Sequence, residues 1–104
     1  MQKNKLNAIE INQALKTISG WTLESNEAFM HKQWQFDSFK TAMRFIAKVA
    51  EIAELQNHHP EFLSVYRKMR VRLSTHDVSG LTRKDFELAS EIDRLVANQF
   101  SHCV

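Results

Sequence analysis

Three of the chain's five histidines stand near carboxylates in a pattern suited to proton transfer. His58 and His59 lie together in Glu54-Leu55-Gln56-Asn57-His58-His59-Pro60, His76 follows near the end of a later strand, and Asp85 lies beyond it. Histidine has an unperturbed pKa of about 6.5, so it gives and takes protons near neutrality, and a cluster of three points to general acid and base chemistry. Each histidine also has a plainer role: near a helix C-terminus it complements the helix dipole, and at a strand end it is often a solvated surface residue. Metal binding is the rival for the group. His58, His59, His76 and Glu54 are acceptable zinc ligands by type, but adjacent histidines on an extended segment point apart. No H-x-x-x-H or H-x-H pair places two imidazoles on one face, so no metal site is expected. Nucleophilic hydrolysis lacks a G-x-S-x-G elbow, and Gly20 and Gly80 alone cannot build a phosphate or dinucleotide loop.

These residues need elements to position them, and 104 residues with 43% hydrophobic content suffice for one domain with its own core, expected over residues 1–104. Cys103 is the only cysteine, which excludes an intrachain disulfide and fits a reducing, cytoplasmic setting. Lys3, Lys5, Glu10 and Lys16 break up the first twenty residues, unlike a signal peptide. Charges also interrupt the most apolar stretch, from Phe45 to Leu55, well short of the roughly 20 residues a membrane span needs. A net charge of +2 does not call for a polyanionic partner. Arg67, Lys68, Arg70 and Arg72 gather near Tyr66, but Met69, Val71 and Leu73 alternate with Arg70 and Arg72. The basic residues therefore read as the solvated face of a strand rather than a nucleic-acid surface.

Asn7-Ala8-Ile9-Glu10 is a capping box that opens a short helix with Ala8, Ile11, Ala14 and Leu15 on one face, and Gly20 is a natural stop. Trp21 to Leu23 and Ala28 to Phe36 read as a hairpin around Ser25-Asn26-Glu27. From Asp37 as N-cap, Phe39, Ala42, Met43, Ile46, Val49, Ala50 and Ala53 recur at helical spacing, and Pro60 ends that helix around Gln56 to His58. Leu63 to Arg67 and Met69 to His76 form a second hairpin. After Asp77-Val78-Ser79-Gly80, the box Thr82-Arg83-Lys84-Asp85 starts a last helix that buries Leu88, Ala89, Ile92, Leu95 and Val96. The order α-β-β-α-β-β-α predicts an α+β fold: a four-stranded antiparallel sheet with three helices packed on one face. The histidines then fall at element ends, where side chains line a cleft. Asp85 either serves that site or only caps its helix, and Glu54, at i and i+4 to His58, is placed to favour a protonated imidazole if the helix continues that far.

Glu54, His58-His59-Pro60, Tyr66, His76 and Asp85, at these spacings, resemble the signature of the pterin-4a-carbinolamine dehydratases. The resemblance extends through Gly20-Trp21, Phe36 and Phe39, Glu61, Val65-Tyr66, Leu73-Ser74-Thr75-His76, Gly80-Leu81 and Leu88-Ala89. It implies dehydration of 4a-hydroxytetrahydropterin, left by aromatic amino acid hydroxylases, to quinonoid dihydropterin and water, which recycles the hydroxylase's pterin. The pterin is the substrate, and neither cofactor nor metal is implied. His58, His59 and His76 are the implied catalytic residues, with His58 and His76 as the proton-transfer pair and His59 orienting the ring or sharing the acid role. Glu54, Asn57, Ser74, Thr75, Asp77 and Asp85 are the implied substrate-binding residues. Phe62 replaces a frequent tryptophan, and Lys84 a common arginine, so any bidentate grip at the pocket rim is lost. A homodimer or homotetramer is implied. The alternative is a dimerisation cofactor for a transcriptional regulator, which an exposed apolar stripe on the long helix, among Phe45, Val49 and Ile52, would mark.

Overall fold

The computed structural model describes residues 5–101 and Cys103. In chain order the elements are α1 (Ala8–Leu15), β1 (Thr22–Leu23), β2 (Met30–Gln35), α2 (Phe39–Gln56), β3 (Glu61–Val65), β4 (Lys68–Leu73), a 3-10 turn (His76–Val78) and α3 (Arg83–Leu95), whose end widens into a π-helical turn over Val96–Phe100. The strands form one antiparallel sheet in the order β1-β2-β4-β3, with the helices packed on one face, the α+β architecture expected from the sequence. Alternation in β4 decides which face is covered. Met69, Val71 and Leu73 are fully buried, while the intervening Arg70 and Arg72 are half-buried on the other side. Against the covered face pack Ala42, Phe45 and Val49 of α2 and Leu88, Ala89 and Ile92 of α3. Aromatic rings fill the space between: Trp34 and Phe36 lie 5.0 and 4.9 Å from the Phe45 ring, and Phe100 meets it edge-on at 5.7 Å.

Local chemistry sets most boundaries, and several differ from those read off the sequence. The capping box of α1 forms as expected, with the Glu10 N–H donating to Asn7 Oδ1 and the Asn7 N–H to Glu10 Oε1, both at 2.9 Å. That helix stops at Leu15, well short of Gly20, and Ala8 is exposed rather than packed. Gly20 instead turns the chain into β1 at φ +83°, where a side chain would be strained and would also crowd Lys32. The N-cap of α2 is Ser38, not Asp37, because the extended backbone at Ser38 brings its hydroxyl within 3.1 Å of the Thr41 N–H. The proposed stripe of Phe45, Val49 and Ile52 is not a surface: Phe45 and Val49 are fully buried and Ile52 packs partly against the core. Phe39 and Ala50, which recur at the helical spacing, are exposed, and Phe39 stacks on Tyr66 at 6.5 Å. β3 starts two positions before Leu63 and ends before Arg67, since Tyr66 adopts φ 53° and makes the turn. β4 ends at Leu73 rather than His76. Thr75 pairs with Gly80, and His76–Val78 wind into the 3-10 turn inside that closure.

The helix-free face is held by charge. Arg72 Nη2 and Nε donate to the two oxygens of Glu24 at 2.8 and 2.9 Å, Nη1 donates to Glu61 at 3.2 Å, and the guanidinium lies 3.5 Å from the Phe29 ring centre. His31 Nδ1 lies 2.9 Å from Glu24 Oε2. This fork joins the β1–β2 connection to β4 and β3. The Arg72 hydrogen bonds hold the Glu24 carboxyl down, from 4.5 to about 2, against partial desolvation that raises it and with further lowering from His31. A depressed carboxylate adds stability above its unfolded pKa and loses it as pH falls through its folded one. Glu24→Gln is therefore expected to destabilise the fold at pH 7 by about 1–2 kcal/mol, allowing for solvent screening at this part-exposed site. The deficit, measured by urea unfolding, should shrink between about pH 4.5 and 2.

Candidate active site

Three element ends supply the residues singled out by the sequence: the C-terminus of α2, the segment after β4 and the first turn of α3. At the first, α2 stops because Asn57 adopts a left-handed conformation, φ 51° and ψ 44°, and the His58 N–H turns back onto the Ala53 carbonyl at 3.0 Å. His58, His59 and Pro60 then belong to neither helix nor strand before β3 begins at Glu61. Asn57 is exposed, His58 is buried and His59 is exposed, so the reversal sends the two imidazoles into different surroundings.

His58 is 6% exposed, and its Nε2 lies 2.6 Å from Oδ1 of Asp85, which is fully buried. The other Asp85 oxygen, Oδ2, accepts from the Thr75 hydroxyl at 2.7 Å and from the Thr82 N–H at 2.9 Å. Thr75 and Thr82, also buried, join through their hydroxyls at 2.8 Å, and Thr82 Oγ1 receives the Lys84 N–H at 3.3 Å. Asp85 thus caps α3 and holds His58 with the same carboxylate, combining the two roles the sequence offered for it. A carboxylate can only accept, so the shared proton places the Nε2–H tautomer on neutral His58 and leaves Nδ1 as the ring nitrogen not engaged by Asp85.

His59 and Glu54 form a separate, exposed pair through His59 Nε2 and Glu54 Oε2, with side chains 60% and 74% exposed. Glu54 therefore pairs with His59, not with His58, because α2 has already ended and i,i+4 geometry does not reach residue 58. His76 is exposed and opens the 3-10 turn directly after Thr75, so the Thr75–Asp85 bond ties its backbone to the His58 pair. Ser74 is half-buried, its hydroxyl 3.4 Å from the Gly80 carbonyl, and Asp77 is exposed in the same turn. Thr82 is the residue the sequence reading missed in this role. Its place in a Thr-x-x-Asp box announced a helix cap, but nothing local announced its bond to Thr75.

The arrangement offers one sheltered imidazole held by a carboxylate, beside two exposed histidines. Imidazoles held in this way are suited to moving protons. Among the described residues no three His, Cys, Asp or Glu side chains group as a metal site. Two clefts lie elsewhere, one of about 820 Å³ between α1 and α3 and one of about 430 Å³ on the helix-free face near Glu61 and Arg72; no histidine lines either. No described helix is long and apolar enough to cross a membrane.

A family model described as pterin 4 alpha carbinolamine dehydratase matches residues 4–95. A Sinorhizobium fredii protein whose assigned name is pterin-4-alpha-carbinolamine dehydratase is 42% identical over 95% of this chain and 94% of its own length. One of the same assigned name from Roseiflexus castenholzii is 44% identical over 88% of this chain and 96% of its own length. The crystal structure of a transcriptional coactivator/pterin dehydratase from Brucella melitensis superposes with a TM-score of 0.84 at 33% identity, covering 88% of this chain and 98% of that one. A pterin dehydratase-like protein identified as a RuBisCO assembly factor in the alpha-carboxysome shares the fold, with a TM-score of 0.63 at 17% identity over 73% of this chain and 88% of that one.

Proposed function

Since the chain belongs to the pterin 4 alpha carbinolamine dehydratase family, we propose that it expels water from 4a-hydroxytetrahydropterin to give quinonoid dihydropterin. The observation that carries this reading is His58, buried and held by Asp85 at 2.6 Å, with the exposed His59 next to it in the chain and the exposed His76 next to Thr75, which donates to the same Asp85. Dehydration needs one proton delivered to the C4a hydroxyl, which leaves as water, and one removed from a ring nitrogen as the new C=N bond forms. His58 takes the ring proton at Nδ1, because the imidazolium that results is stabilised by the Asp85 carboxylate at Nε2. His76, exposed next to Thr75, delivers the proton to the leaving hydroxyl. His59, steadied by Glu54, orients the bicycle, and Asn57, Ser74 and Asp77 offer polar contacts to its edge. The reaction requires no cofactor in this reading, takes its substrate from an aromatic amino acid hydroxylase and runs in the cytoplasm.

A homo-oligomer belongs to the same proposal, and the open edge of the sheet is where it forms. β3 is an edge strand exposed along its whole length, with Phe62, Leu63 and Val65 between 41% and 59% exposed. An apolar, unprotected edge pairs readily with another strand. In light scattering the protein should have the mass of two or four chains, and lysines at Leu63 and Val65 should lower it to one. A wild-type monomer would remove this part of the proposal.

A further inference from the structure

Thr75, expected from the sequence to form part of a substrate wall, is 1% exposed, and its hydroxyl is committed inward. A hydroxyl carries one proton. Thr75 spends its proton on Asp85 Oδ2 at 2.7 Å, so the 2.8 Å contact with Thr82 must carry the Thr82 proton to Thr75 Oγ1. Thr82 Oγ1 in turn accepts the Lys84 N–H. The donors therefore run in one direction, from the α3 backbone through Thr82 and Thr75 to Asp85, and bonds aligned in this way reinforce one another in a low-dielectric interior. With Oδ2 filled by Thr75 and the Thr82 N–H, only Oδ1 is left to receive His58 Nε2.

We propose that Thr75 is a positioning residue for His58: its buried hydroxyl fixes the rotation of the Asp85 carboxylate, and so fixes which nitrogen of His58 carries the proton and which one works. The effect on catalysis rests on the dehydratase reading above, but the effect on His58 does not. Without the Thr75 hydroxyl, one acceptor site on Oδ2 is vacated, the carboxylate is free to turn, and both nitrogens of His58 compete for it. Thr75→Val keeps the shape of the side chain and removes the donor, whereas Thr75→Ser keeps the donor and removes a methyl group.

The test is ¹⁵N NMR of the histidine side chains above the pH of their titration, in the full chain and in both variants, alongside turnover of 4a-hydroxytetrahydropterin. The unmodified protein should show His58 as the Nε2–H tautomer, and an Nδ1–H tautomer would overturn the proposal before any variant is made. Thr75→Val should shift His58 toward a mixture of tautomers and lower kcat about tenfold with KM little changed, the scale usual for groups that orient a working residue. Thr75→Ser should restore both the tautomer and the rate. A folded Thr75→Val protein with the wild-type His58 signals would overturn the role of Thr75. If no form of the protein speeds the reaction while the tautomer shifts as described, the dehydratase reading fails and the positioning role stands.

Discussion

His58→Ala is expected to lower kcat for loss of water by about 10²–10⁴, the range that a positioned acid or base contributes. His76→Ala should do the same, since His76 supplies the opposite proton in the proposed mechanism. His59→Ala is the contrast: its imidazole is 60% exposed and paired with an equally open Glu54, so its loss should affect KM more than kcat. The variants should also differ in stability. Removing His58 vacates a buried position but leaves the Asp85 carboxylate with the Thr75 hydroxyl and the Thr82 N–H as donors, so the domain should still fold. Circular dichroism and kinetics on the same samples separate the two effects. Equal losses at His58 and His59 would mean that burial and the Asp85 pair do not select the working histidine.

Asp85 should be the most costly site residue to lose, because one carboxylate satisfies three donors in the interior. Asp85→Ala leaves His58 Nε2, the Thr75 hydroxyl and the Thr82 N–H without their acceptor and removes half of a capping box. Each buried donor left unpaired costs about 1–3 kcal/mol, so the three together should cost at least about 3 kcal/mol. Asp85→Asn separates stability from chemistry. An amide has one accepting oxygen, and if that oxygen serves Thr75 and the Thr82 N–H, the NH2 group faces His58 and demands an accepting Nε2. The imidazole must then hold its proton on Nδ1, the nitrogen assigned as base. Asp85→Asn should therefore melt close to the wild type yet lose at least about 10² in kcat, as happens when an orienting carboxylate elsewhere is exchanged for an amide that enforces the wrong tautomer. An Asn variant with full activity would contradict the assignment of Nδ1.

The layer architecture was legible in the sequence because period and caps agreed. Asn7 with Glu10 and Thr82 with Asp85 are reciprocal caps that appear in the structure as read, and the alternation of Met69, Val71 and Leu73 with Arg70 and Arg72 oriented the sheet. Boundaries were less legible, since competing local bonds decide them. Ser38 displaced Asp37 because of its backbone geometry, and the Thr75–Gly80 pairing cut β4 short of His76. Phe45 was misplaced because a helix that is apolar on several sides does not declare which stripe meets the sheet. At the candidate site, spacing singled out the histidines but did not show which carboxylate each one meets. The pairing of His58 with Asp85 spans 27 positions, and that of Glu54 with His59 depends on where α2 unwinds. The first is set by tertiary geometry that no local pattern encodes, the second by the left-handed turn at Asn57.

Whether this site expels water from a pterin carbinolamine can be read by stopped-flow absorbance. 4a-Hydroxytetrahydropterin, generated enzymatically, is followed as it loses water with and without substoichiometric protein. The rate should rise in proportion to protein concentration, with many turnovers per chain, and fall back to the spontaneous rate with His58→Ala. A decay indistinguishable from the spontaneous one, with the wild-type protein folded and present, would contradict the dehydratase reading.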